Sequence, residues 1–181
     1  MSDFNFLDPF QNFTIPLGSW VETALKYLVH NFREVFRSIR WPVDQVLDGV
    51  QWGLLSVPPV VFIIVAGLIS WQIGGKRIGI FSVATLTGLG LIGVWNDSMV
   101  TLALVLTSLL FCAVIGIPLG ILCARSDRTE MIVRPVLDAM QTLPAFVYLV
   151  PVVMLFGIGN VPGVIVTIIF SVAPLVRLTN L

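Results

Sequence analysis

Four stretches of this chain carry no charged residue: the residues between Asp48 and Lys76, then 78–96, 98–124 and 139–176. A helix rises ~1.5 Å per residue, so ~20 apolar residues cross the ~30 Å hydrocarbon core of a bilayer. Each of the first three runs fits one crossing. The fourth is too long for one, and Gly157-Ile158-Gly159-Asn160-Val161-Pro162-Gly163 supplies a turn inside it. The chain therefore reads as an all-α membrane protein, a polytopic helical bundle with about five spans near 54–73, 78–95, 98–124, 143–157 and 162–176. The last two are short enough to be tilted, broken or partly re-entrant. Trp52 and Trp71 bracket the first span and Trp95 closes the second, where interfacial tryptophans are expected.

Composition agrees with that pattern. Hydrophobic residues make up 57% of the chain and charged residues 11%, against roughly 25% charged in a soluble domain. Ten basic and ten acidic residues cancel, leaving no global field to attract nucleic acid or an acidic partner. Mean hydropathy is +0.99. A nucleic-acid binder, a disordered tail and a secreted disulfide scaffold are excluded. Cys112 and Cys123 lie ~16 Å apart along one helix, beyond disulfide reach, and read as small apolar fillers.

Charge placement gives an orientation. Lys76 and Arg77 follow the first span, Arg125, Arg128 and Arg134 follow the third, and Arg177 closes the fifth. In an alternating topology these share one side, and the opposite loops at Asn96-Asp97 and 157–163 carry no basic residue. The positive-inside rule makes the basic side cytoplasmic and the N-terminus extracytoplasmic. Lys26, Arg33, Arg37 and Arg40 near the N-terminus weaken that contrast without reversing it. No basic residue precedes Lys26 and no apolar core sits near the start, so a cleavable signal peptide is not expected.

Residues 1–53 form a separate piece. Val21, Leu25, Leu28, Phe32, Val35 and Ile39 recur at helical spacing, and Ser19 with Glu22 has capping-box spacing, which predicts an amphipathic helix over 19–40. Its polar face holds Glu22, Lys26, His30, Arg33, Glu34, Arg37 and Arg40. Such a helix lies in the membrane surface, or packs on the rest of the protein or a second copy. His30 has no cluster around it that would make it a metal ligand.

Several kinds of chemistry are missing. No span holds an ionisable residue in its middle, which weighs against a proton antiporter, a voltage sensor or an intramembrane aspartyl enzyme. Asp97 sits in a loop and Asp138 before the fourth span, read as solvated or first-turn charges. Gly74-Gly75-Lys76-Arg77 lacks the upstream glycine of a phosphate-binding loop, position 70 being Ser. Catalytic, metal and cofactor residues are not expected, and any ATP would be bound by another chain.

What remains suits movement through a bundle. Pro58, Pro59, Pro118, Pro144, Pro151, Pro162 and Pro174 fall within the spans and predict kinks, tolerated at membrane depth only against protein or a water-filled cavity. Ser108, Cys112, Gly116, Gly120 and Ala124 place a small residue at every fourth position of the third span, a seam for close helix approach. Gln141, Thr142 and Tyr148 either line a pathway or make interhelical hydrogen bonds.

The segment from Arg134-Pro135-Val136-Leu137-Asp138-Ala139-Met140-Gln141-Thr142-Leu143-Pro144 through Tyr148-Leu149-Val150-Pro151, running into Met154-Leu155-Phe156-Gly157-Ile158-Gly159-Asn160-Val161-Pro162-Gly163, resembles the permease subunit of the glycine betaine/proline ABC importers. Met99 to Thr107, Gly116-Ile117-Pro118-Leu119-Gly120, Leu7-Asp8-Pro9-Phe10 and Ile15-Pro16-Leu17 fit the same family. The resemblance implies a cytoplasmic-membrane permease for glycine betaine, proline betaine or proline, working as a homodimer with a separate ATP-binding subunit and a substrate-binding protein. It implies a tail over 1–53, two leading transmembrane helices over 54–95, and over 97–181 the N-terminal part of the type-1 transmembrane domain. Family members continue past Arg177-Leu178-Thr179-Asn180-Leu181 into a coupling loop and further spans, so the expectation is a C-terminally truncated permease. The rival readings are a permease for choline, carnitine, methionine or another amine, and a non-transporting scaffold or channel.

Overall fold

A computed structural model describes residues 17–31 and 33–180. Among them are seven helices and no strand: α1 (Leu17–Asn31), α2 (Arg33–Ser56), α3 (Pro59–Ile92), α4 (Trp95–Arg125), α5 (Asp127–Thr142), α6 (Ala145–Phe156) and α7 (Asn160–Thr179). The family strings at Leu7–Phe10 and Ile15-Pro16, and Phe32 of the amphipathic stripe, lie outside the described residues, as do the side chains of Leu25, Leu28, His30 and Arg33.

Three helices, α3, α4 and α7, are long and apolar enough to cross a membrane, or up to four if α5 and α6, bent by 99°, are one broken span. The five expected spans differ from this for an identifiable reason. Two of them fall inside α3, whose backbone leaves helical geometry at Gly75 (φ 80°, ψ 177°). There the chain folds back. Ser70 Oγ lies 3.2 Å from Ser82 Oγ, and a Cβ on Gly67 would stand 2.4 Å from Val83 Cγ2. Those partners would lie far apart along one straight helix, so α3 is a hairpin of two arms with Lys76-Arg77 just past its turn. Gly93 (φ 86°) ends the second arm in a Schellman motif, its N–H reaching the Gly90 carbonyl and that of Val94 the Leu89 carbonyl. Trp95 therefore opens α4 and does not close the second arm; its ring meets Phe62 edge-on at 5.7 Å.

The prolines are gentler than expected. Pro58 and Pro144 are N-cap residues, Pro59 begins α3, and Pro162 lies in the first turn of α7. Those positions have no intrahelical partner for an N–H, so proline removes nothing there. Among the expected kinks only Pro118, Pro151 and Pro174 sit inside helices.

The core is built around α4 and α7. Ser108 pairs with Val164, Gly116 faces Leu175 and Gly120 faces Thr179. Both residue numbers rise together, so the two helices run parallel. The chain returns between them through α5 and α6. Leu137 of α5 packs with Cys123 of α4 and Val176 of α7 at one end. Towards the other, Val43 and Leu47 of α2 pack with Ala103, Val161 and Val164. The amphipathic segment is thus longer than 19–40. Its packed stripe begins at Val43 and continues through Leu47, Val50 and Leu54, while Val21, Val35 and Ile39 remain exposed. Helix α1 begins at Leu17, so Ser19 lies inside it and accepts, through its carbonyl, a hydrogen bond from Thr23.

Candidate functional site

The packing seam forms on α4, with one change. Ser108, Cys112, Gly116 and Gly120 are buried; Ala124 is exposed, and Cys123 is buried in its place. A step of four residues advances about 40° past a full turn of a 3.6-residue helix. After several such steps the stripe has rotated off the contact, and a step of three restores it. Ser108 Oγ donates to the Leu104 carbonyl at 2.8 Å and lies 3.4 Å from the Val164 carbonyl. Gly120 is the closest point, because a Cβ there would stand 2.5 Å from Thr179 Cβ and 3.0 Å from the Val176 carbonyl oxygen.

Gln141, Thr142 and Tyr148 surround the α5–α6 bend. Pro144 disfavours helical geometry at Leu143, which is extended at φ −88° and ψ 136°. Two hydroxyls then satisfy carbonyls at the end of α5. Thr142 Oγ1 donates to the Ala139 carbonyl at 3.0 Å, and Tyr148 Oη reaches the Ala139 and Met140 carbonyls at 3.2 and 3.3 Å. Gln141 is exposed.

Four features went unrecognised in the sequence. Helix α5 falls between the expected third and fourth spans, where no helix was expected, although Ser126 caps it by accepting from the Thr129 N–H at 3.4 Å and Val133, Leu137 and Met140 recur at helical spacing towards the core. Asp138 lies in the second half of that helix, not in a first turn, and pairs with Arg177 of α7. Thr107 is fully buried, and among the described residues its Oγ1 is the buried side-chain polar atom with no hydrogen-bond partner. Arg40 joins α2 to α6: Nη1 donates to the Phe156 carbonyl at 2.7 Å and Nε to Asp44 at 3.0 Å, while Phe36 meets Phe156 edge-on at 5.5 Å. A cation here suits the negative end of α6, and Gly157 (φ 85°) begins the turn to α7.

This junction borders a cleft of about 860 Å³ between the N-terminal helices and α6. Lys26 on its wall pairs with Glu22 at 2.6 Å. The hydrogen bond from that ammonium, and then its charge, hold the Glu22 carboxyl below its ordinary pKa. Among the described residues no group of three or more His, Cys, Asp or Glu is placed to hold a metal.

Comparison with known proteins fits this architecture. Residues 116–181 match the family described as binding-protein-dependent transport system inner membrane component. Over 98% of its length the chain is 60% identical to the glycine betaine/proline betaine transport system permease protein ProW of Escherichia coli, covering 50% of that protein. It is 45% identical to the glycine betaine/carnitine transport permease protein GbuB of Listeria monocytogenes, over 93% of the chain and 61% of the relative. With the glycine betaine transport system permease protein OpuAB of Bacillus subtilis it shares 35% identity over 92% of the chain and 59% of the relative. The chain thus spans about half to three-fifths of the length of these relatives. A bundle of apolar helices with that similarity is an all-α membrane protein whose residues 116–181 match the family of binding-protein-dependent transport system inner membrane components.

Proposed function

We propose that this chain contributes helices to the translocation pathway of a permease subunit that imports compatible solutes, of the glycine betaine, proline betaine and proline class, at the expense of ATP. The observation that carries this reading is 60% identity, across 98% of the chain, to a permease named for glycine betaine and proline betaine. Other relatives are named for carnitine and for trimethylamine N-oxide. The chemistry these names share is a small, fully substituted, methylated nitrogen, which supports the betaines of that class ahead of proline and keeps carnitine as the second reading.

In this proposal the chain performs no catalysis and holds no cofactor. A separate subunit binds ATP, a substrate-binding protein delivers the solute, and a second permease copy completes a homodimer in the inner membrane. Residues 1–53 are its tail, 54–95 its leading helices and 97–181 part of its transmembrane domain. The match over 116–181 supports the last of these. The N-terminus is extracytoplasmic; Arg134 of α5 and Arg177 of α7 line one cleft with Glu130 and Asp138, which supports their lying at the same end of the bundle, as this orientation requires. Of Gln141, Thr142 and Tyr148, the proposal gives pathway contact chiefly to Gln141, because the two hydroxyls already serve carbonyls.

The test is uptake into proteoliposomes by the permease at the full length of its relatives, with ATPase and binding protein present. Radiolabelled glycine betaine should accumulate only when ATP is supplied inside the coupled compartment. Accumulation that ignores ATP overturns the importer in favour of a channel, and no flux under any condition favours a scaffold.

A further inference from the structure

We propose that the cleft between the N-terminal helices and α6 is a binding site for one anionic phospholipid, its phosphate held at Arg37. The cleft is lined by Lys26, Arg37, Arg40 and Asp44 on its polar side, and by Trp41, Leu155 and Phe156 on its apolar side. Its charges do not balance. Lys26 is matched by Glu22 and Arg40 by Asp44, whereas among the described residues neither Arg37 nor Glu34, one turn earlier, is in an ion pair. Among the described residues one cation lining the cleft, Arg37, is left over beside an apolar wall.

That combination selects an amphiphile. A free anion would use Arg37 but leave Trp41, which is 67% exposed, and the α6 side chains uncovered. A zwitterionic lipid would cover the wall without answering the surplus charge. An anionic phospholipid does both, and an exposed tryptophan on an amphipathic helix marks the depth at which headgroups lie. Basic pockets beside membrane helices hold such headgroups through the same charge contact, each Lys or Arg near the surface contributing about fivefold in affinity.

The test is a titration of the full chain in neutral detergent with dioleoylphosphatidylglycerol, reading bound lipid by native mass spectrometry. Dioleoylphosphatidylcholine and inorganic phosphate are the other two probes. Phosphatidylglycerol should bind about fivefold more tightly than phosphatidylcholine, and Arg37→Gln should remove that preference. Arg37→Lys and Lys76→Gln should both keep it. A second readout leaves Arg37 in place: phosphatidylglycerol with brominated chains should quench emission in a manner lost in Trp41→Phe and retained in Trp71→Phe. Equal affinity for the two lipids, wild-type preference in Arg37→Gln, or equal quenching in both tryptophan variants overturns the site. Inorganic phosphate that binds alone and displaces the lipid through Arg37 overturns the lipid as occupant and makes the site one for a free anion.

Discussion

The α3 hairpin and the α4–α7 seam use the same device and end in different places. Both bring backbones together at glycines: Gly67 and Gly79 in the hairpin, Gly116 and Gly120 in the seam. Yet only 6% of the most apolar stretch of α3 is buried within the chain, against 28% for α4 and 39% for α7. The hairpin closes on residues near it in sequence, so little chain entropy is lost and little else is required. The seam joins helices separated by the whole α5–α6 return, and it gathers α2 and α5 around it. Lipid tails are as apolar as the side chains, so in neither case does hydrophobic burial drive the arms together; close packing does. Local closure makes a unit that stands apart. Long-range closure makes the core.

The sharpest way to break this contrast is Gly120→Leu, where the new side chain meets Thr179 and the Val176 carbonyl. Overpacking there should lower stability by about 3 kcal/mol in detergent-titrated unfolding and reduce the yield of folded protein. Gly116→Leu should do less, since only the mobile end of Leu175 stands in its way. Wild-type yield from both would remove the seam. Next comes Gly75→Ala, which forces a side chain into φ 80° and should cost about 2 kcal/mol, confined to the hairpin. Hydrogen exchange should quicken in both arms of α3 and stay unchanged in α4 and α7; equal quickening would show that the two regions are one unit. Phe62→Ala removes the ring contact with Trp95 and should loosen the hairpin from α4 by about 1 kcal/mol, with spin-label distances between the arms preserved. Smallest are Ser70→Ala and Ser108→Ala, each near 0.6 kcal/mol. The loss at Ser108 should be the lesser, because its hydroxyl donates mainly to the Leu104 carbonyl of its own helix and reaches Val164 of α7 only at 3.4 Å.

Much of this was legible before the structure. Charge-free runs marked the apolar helices, Lys76-Arg77 marked the hairpin turn, and Ser108, Cys112, Gly116 and Gly120 of the expected stripe lie buried on α4. Ala124 is exposed because a strict interval of four ignores the rotation of the stripe. Helix α5 was missed for the opposite reason: Arg128, Glu130, Arg134 and Asp138 disguised an apolar face that appears only once Val133, Leu137 and Met140 are set on a helix. For Tyr148 an interhelical hydrogen bond was one of two roles the sequence allowed, without its partner. Where Arg40 goes was not legible, because sequence spacing carries no signal for a partner 116 residues away.

The return from α5 to α7 has a consequence for how its backbone is satisfied. Helix α6 has 12 residues, a rod of ~18 Å, in a membrane whose insulating layer is ~30 Å thick. Its two ends are polar, with carbonyls held by Tyr148 near one and by Arg40 at the other. By itself α6 is too short to cross, and at membrane depth a free backbone carbonyl must be met by protein. The hydroxyl of Tyr148 and the guanidinium of Arg40 supply at the two ends of this rod what hydrocarbon cannot.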